Sequence, residues 1–130
     1  MILLDTNVII DSWRHDTEEA RKALMQLGPC TFGAVLAELL HGASDDRHAV
    51  WIQRAISKFQ WLEIYPDVWR RLGRNMMTLR QKGLTIPFPD VLLATMAIVH
   101  DVPVWSHDKH FALMQRVLPA LQLYAPETES

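Results

Sequence analysis

Cysteine is almost absent from this chain, in which Cys30 is the only thiol among 130 residues. One thiol cannot form an intramolecular disulfide, and it leaves no cysteine pair for a structural zinc site. A fold without disulfides suits a reducing compartment, so the sequence predicts a cytoplasmic protein. We interpret Cys30 itself as a small buried apolar residue.

Long hydrophobic runs are also missing. The longest extends from Val91 to Val99 and contains Thr95. It is far shorter than the roughly 20 residues that span a bilayer, so we expect no association with membranes. Asp5 and Asn7 interrupt the apolar N-terminal run before the core of a signal peptide can form, and we expect none.

The chain has little excess charge, with a formal net charge of −2 at pH 7. Binding to a nucleic acid would therefore depend on a local basic patch and not on the field of the whole molecule. A hydrophobic fraction of 49% and a charged fraction of 22% indicate a folded globular protein. A chain of this length fits one domain, which we predict over residues 1–125, followed by a loose tail over 126–130.

Short apolar segments alternate with helical patterns along the chain. Strands are predicted near residues 1–4, 30–32, 61–64, 102–105 and 121–124. Helices are predicted near residues 9–14, 19–27, 34–41, 47–59, 67–82, 91–100 and 109–116. This alternation is typical of a parallel sheet covered by helices, so we predict a single-domain α/β/α sandwich with about five short strands.

Four acidic residues stand beside these apolar segments: Asp5, Glu38, Asp90 and Asp108. Each alone has an ordinary explanation as a turn or helix-capping residue, except that Glu38 lies in a helix so apolar that we expect it to be largely covered. Carboxylates beside a core must be paired or bind a cation. Open α/β sheets bind ligands outside the carboxyl ends of their strands. The four acids therefore predict one oxygen-ligand site for Mg²⁺ or Mn²⁺.

Histidines near the acids give a competing interpretation as a zinc site. His107 and His110 flank Asp108, and His41 follows Glu38. No spacing among them matches a structural zinc motif. We interpret them instead as partly exposed side chains beside a polar site.

The surroundings of the four acids resemble the motifs of PIN domains, in order and across nearly the whole chain. Residues 3–10 resemble the opening of these domains, and residues 37–42 resemble their second acidic motif. Residues 89–94 and 106–111 resemble the third and fourth motifs. The size of the chain is similar to that of the ribonuclease toxins of VapBC-type toxin–antitoxin pairs.

The resemblance implies a metal-dependent endoribonuclease, usually a homodimer, which a small antitoxin inhibits by inserting its C-terminal segment into the active-site groove. It implies an acidic catalytic and metal-binding site made of Asp5, Glu38, Asp90 and Asp108. It also implies supporting polar roles for Ser106, Asn7 and Thr6.

An RNA substrate would need basic contacts, and aromatic side chains could stack on its bases. Arg14 and Lys109 lie close in sequence to acidic motifs, and we predict that they touch phosphate. Four tryptophans lie in apolar contexts, which favours burial in the core or in a subunit interface: Trp51, Trp61, Trp69 and Trp105. Trp13, beside Arg14, is the candidate for an exposed aromatic residue.

Two other functions stay open at this point. The chain could be a non-catalytic RNA- or protein-binding module with an acidic ion pocket, or a PIN-like nuclease that acts on DNA. A DNA nuclease of the related flap-endonuclease kind would need a larger chain. A phosphatase of the haloacid dehalogenase type would need Asp-x-Asp after the first strand, and Asp5-Thr6-Asn7 lacks the second carboxylate.

Overall fold

The strands form a parallel sheet in a computed structural model that describes residues 1–126. The strands are β1 (Ile2–Leu4), β2 (Pro29–Thr31), β3 (Gln60–Trp61) and β4 (Val104–Trp105). They lie in the order β3-β2-β1-β4, and every neighbouring pair is parallel. Most of the predicted tail, residues 127–130, lies outside the described residues.

Seven helices connect and flank these strands within the described part of the chain. They are α1 (Thr6–Arg14), α2 (Glu18–Gln26), α3 (Gly33–His41), α4 (Asp46–Ile56), α5 (Pro66–Gln81), α6 (Phe88–His100) and α7 (His110–Val117). The predicted α/β class with a parallel, helix-covered sheet is confirmed. Over residues 1–126, no helix is both long enough and apolar enough to cross a membrane.

The predicted number of strands is too high by one, because the described residues form four. The segment predicted as the last strand, residues 121–124, pairs with the sheet only through a bridge between Leu123 and Val104. Val104 donates its N–H to the carbonyl of Gln122 and accepts one from Tyr124. Strand β4 ends one residue later, at Trp105, whose carbonyl accepts from the N–H of Asp5.

The core is built around β1 and α6. All three residues of β1 are buried, and so is every residue of α6 from Val91 to Ala97. Thr95 satisfies its buried hydroxyl by donating to the carbonyl of Val91 at 2.7 Å, and it accepts from Asn75 Nδ2 of α5 at 3.0 Å. The position of α6 fixes its N-terminal turn, which carries Asp90, at the rim of the core.

Three of the four tryptophans for which the sequence favours burial are not buried in the core of this chain. Trp51, Trp61 and Trp69 are 46%, 45% and 52% exposed, whereas Trp105 is half-buried. Trp13, the predicted exposed aromatic residue, is partly buried and meets Trp51 edge to face, with ring centroids 4.9 Å apart. Apolar neighbours in sequence do not reveal that Trp61 ends an edge strand or that Trp69 lies on the outer face of α5.

Candidate metal centre

The four acidic residues converge at one edge of the sheet from different elements. Asp5 directly follows β1, Asp108 lies between β4 and α7, Glu38 is on α3 and Asp90 is in the first turn of α6. Asp90 and Asp108 lie close enough to Asp5 for their negative charges to raise its pKa. The charges of Asp5 and Asp90 raise the pKa of Glu38 in the same way. The structure thus brings together the four acids that the sequence singles out.

Asp5 is the most buried member of the group, with 9% of the residue exposed. It caps α1, because its Oδ1 accepts from the N–H of Thr6 at 2.8 Å, and its Oδ2 accepts from Ser106 Oγ at 2.7 Å. Burial raises the pKa of Asp5, the two hydrogen bonds oppose this rise, and the charges of Asp90 and Asp108 add to it. Hydrogen bonds therefore hold the Asp5 carboxylate in one orientation, and its ionisation in this buried position costs free energy.

Ser106, one of the predicted supporting residues, links Asp5, Asp108 and Asn7. Its Oγ donates to Asp5, accepts from the N–H of Asp108 at 3.0 Å and lies 3.5 Å from Asn7 Nδ2. Asn7 in turn accepts from the N–H of His107 at 3.2 Å through its Oδ1. These bonds attach the loop after β4 to the start of α1, and so they hold Asp5 and Asp108 on the same side of the sheet edge.

Glu38 is less covered than the sequence predicts. On α3 only Val35 and Leu39 are buried, and Glu38 as a whole residue is exposed. The predicted covering of this helix is wrong because its apolar residues extend around most of its circumference, whereas the protein covers one side. The exposed side leaves Glu38 open to solvent and to a ligand.

The carboxylate of Glu38 nevertheless belongs to the acidic group. Its Oε2 accepts from Thr6 Oγ1 at 3.2 Å. Desolvation raises its pKa, the bond from Thr6 lowers it, and the charges of Asp5 and Asp90 raise it again. Thr6 therefore contacts two acids, Asp5 through its backbone and Glu38 through its hydroxyl.

His110 lies within the site, where the sequence predicts only a histidine beside it. Its Nδ1 is 2.8 Å from Asp90 Oδ2 and 3.2 Å from Asp108 Oδ1. Its backbone N–H donates to the same Asp108 oxygen at 2.9 Å. His107, by contrast, faces away to Asp11, with Nε2 and Oδ2 3.6 Å apart. The zinc interpretation that groups His107 with His110 is therefore wrong.

The residues present fit a divalent cation. One ligand atom each from Asp90, Asp108 and His110 can be chosen so that all three lie within 4.8 Å of one another. Asp5 and Glu38 add carboxylates whose pKa values are raised in part by neighbouring negative charges. Crowded carboxylates repel one another without a cation, and oxygen donors in this number suit a hard divalent ion.

The predicted phosphate contacts lie at the surface. Arg14 ends α1 and Lys109 precedes α7, and both are exposed. Among residues 1–126, neither forms an ion pair with an acidic side chain. Lys109 adjoins Asp108 in sequence, whereas Arg14 is eight residues along α1 from Thr6, about 12 Å by the helical rise.

Comparisons with known proteins identify the family of this chain. The PIN domain model matches residues 2–117, a range that contains all four of them. Ribonuclease VapC1 from Methanocaldococcus jannaschii is 25% identical over 112 residues, which cover 85% of this chain and 78% of that protein.

Two solved complexes contain chains of the same fold. One is VapBC2 from Rickettsia felis bound to a promoter DNA fragment, with a TM-score of 0.76, 24% identity, and coverage of 95% of this chain and 98% of that one. The other is DNA-bound VapBC from Salmonella typhimurium, with a TM-score of 0.79, 20% identity, and coverage of 95% and 96%. Since the family model spans nearly the whole chain and includes every acid of the site, this protein belongs to the PIN-domain family.

Proposed function

We propose that this protein is a metal-dependent endoribonuclease and the toxin of a type II toxin–antitoxin pair. The observation that carries the proposal is the convergence of four carboxylates at one sheet edge in a member of the PIN-domain family. The relative named a ribonuclease and the VapBC complexes that share the fold add support.

The catalytic and metal-binding residues are proposed to be Asp5, Glu38, Asp90 and Asp108. These carboxylates would hold Mg²⁺ or Mn²⁺, which would supply an activated water and offset charge on the phosphate oxygens. Hydrogen bonds to both oxygens of Asp5 fix its orientation in advance, as supporting partners commonly do for ligand carboxylates. Ser106, Thr6 and Asn7 are thus positioning residues that hold the acids.

RNA would approach from the open side of the site, where Glu38 is exposed. Lys109 and Arg14 are proposed to bind its phosphates, since both are exposed cations on segments that also carry site residues. Phosphate contacts of this kind position a nucleic acid and do not read its sequence.

The proposed partners are an antitoxin and a second copy of the chain. The solved VapBC complexes support the first partner. Exposed aromatic residues near the starts of α3 and α5 support the second, since interfaces are rich in them: Trp61, Tyr65 and Trp69. Light scattering should give twice the 15.0 kDa mass of the chain. We place its action in the cytoplasm, where RNA is found.

The test of this function is cleavage of RNA, with DNA of the same sequence as the second substrate. Purified protein should cut the RNA in Mg²⁺ or Mn²⁺ and stop when a chelator is added. Asp5→Asn and Asp90→Asn should each slow cleavage by at least about a hundredfold, the scale of loss when one charge-stabilising group is removed.

Asp101→Asn is the matched control. Asp101 is exposed at the far end of α6 and has a φ of 54°, a left-handed conformation that asparagine also adopts. This variant should cleave like the wild type. Full activity in the Asp5 and Asp90 variants would contradict the site. Binding of RNA without cleavage would favour a non-catalytic module, and preferential cleavage of DNA would favour a DNA nuclease.

A further inference from the structure

His110 lies between two acids that belong to different elements. Asp90 comes from the first turn of α6, and Asp108 comes from the loop before α7. The imidazole Nδ1 is 2.8 Å from the first and 3.2 Å from the second, and its side chain is only 29% exposed. The bond from its backbone N–H to Asp108 keeps the residue beside that acid.

The separations between these atoms suit ligands of one ion. Ligand atoms about 2.1 Å from an octahedral ion lie about 3 Å apart at neighbouring corners. The two separations in the structure, 2.8 and 3.2 Å, lie on either side of that value. Within residues 1–126, Asp90, Asp108 and His110 are the one group of three metal-binding side chains whose ligand atoms all lie within 4.8 Å of one another.

We propose that His110 Nδ1 is a ligand of the metal ion and that it makes the site prefer Mn²⁺ to Mg²⁺. This inference rests on the proposed function and deepens it by naming a nitrogen ligand and a metal preference. Mg²⁺ favours sites made of oxygen donors, whereas imidazole nitrogen suits transition metals. Carboxylates alone would serve either ion, so the single nitrogen is what sets the preference.

A different role for the same contact is a hydrogen bond from His110 to Asp90 that only positions the carboxylate. The variant His110→Asn separates the two roles, because its amide N–H can replace the ring Nδ1–H as a donor but its nitrogen does not bind metals. His107→Asn is the matched control, since His107 lies on the loop just before α7 and contacts Asp11 instead.

The experiment is electron spin echo spectroscopy of Mn²⁺ bound to the untagged protein, which detects a directly bound nitrogen nucleus. The wild type and His107→Asn should show nitrogen coupling to Mn²⁺, and His110→Asn should not. The affinity of His110→Asn for Mn²⁺ should fall at least about tenfold, the smallest loss typical of a group that supports a metal site. Its affinity for Mg²⁺ should change much less.

Absence of nitrogen coupling in the wild type with Mn²⁺ bound would overturn the inference, and so would an unchanged preference for Mn²⁺ in His110→Asn. The wild-type spectrum does not depend on how any variant folds. Asp5→Asn separates this failure from failure of the proposed function. If Asp5→Asn abolishes Mn²⁺ binding but the wild type shows no nitrogen coupling, only the role of His110 is wrong. If the wild type binds Mg²⁺ but not Mn²⁺, only the inference about His110 fails, and if it binds neither ion, both proposals fail.

Discussion

Asp5 shows at the scale of one residue how the site opposes the stability of the fold. Burial and neighbouring acids raise its pKa above the ordinary carboxyl value. A group with a raised folded-state pKa binds more protons in the folded state than in the unfolded state. The free energy of unfolding therefore rises as the pH falls from neutral through the raised pKa, and the penalty at neutral pH disappears below the ordinary value.

This sign gives a prediction for the metal-free protein. Asp5→Asn removes the ionisable group and keeps its shape, so the variant should be more stable than the wild type at pH 7. The difference should shrink as the pH is lowered toward about 4, the ordinary carboxyl value. Urea unfolding of both proteins in a chelator, across this pH range, measures it. A difference between the two proteins that stays constant, or one that grows on acidification, would show that Asp5 ionises without strain.

The convergence of the four acids could be predicted from the sequence because each stands beside an apolar segment. A carboxylate in that position must be paired or bind a cation. His110 could not be recognised in the same way. Its role depends on Asp90, which is 20 residues away and meets it only through the packing of α6 and α7. The sequence indicates only that His110 lies two residues after Asp108. A histidine at the start of a helix usually binds no metal, so this position alone does not identify it.

At the scale of elements, two buried threonines make opposite contributions. Thr31 of β2 is fully buried, and its hydroxyl has no hydrogen-bond partner among the described residues. Thr95 of α6 is also buried, but its hydroxyl bonds both Val91 and Asn75. A buried polar group without a partner costs about 1–3 kcal/mol, whereas removing a satisfied one leaves its partner unpaired.

Thr31→Val should therefore raise the free energy of unfolding by about 1 kcal/mol, and Thr95→Val should lower it by about 1–3 kcal/mol. The two substitutions are chemically identical, so each is the control for the other. Urea midpoints of the metal-free proteins give both values. Equal destabilisation by the two variants would mean that the Thr31 hydroxyl does contribute a bond.

The order and type of most elements follow from periodicity, but their ends depend on contacts. Helix α1 begins at Thr6, three residues before the predicted start, because the side chain of Asp5 caps it. The predicted strand over residues 61–64 is reduced to Gln60–Trp61. Periodicity locates an apolar face and does not tell whether a neighbouring strand has backbone groups left to pair.

At the scale of the whole molecule, the sheet edge gathers acids from positions as far apart as Asp5 and Asp108. The parallel arrangement places the ends of β1 and β4 side by side, and α6 brings its N-terminal turn to the same edge. The α/β class and membership of the PIN-domain family could be predicted from the sequence. The exposure of Glu38 and the surface tryptophans could not, because they depend on which helix faces the packed sheet leaves uncovered.

The central claim is that four acids from four elements form one metal site. Calorimetric titration of Mn²⁺ into the wild type, Asp5→Asn, Glu38→Gln, Asp90→Asn and Asp108→Asn tests it directly, with Asp101→Asn as the control. Each of the four variants should bind Mn²⁺ at least about tenfold more weakly than the wild type, and the control should match the wild type. Unchanged affinity in two or more of the four variants would contradict a single shared site.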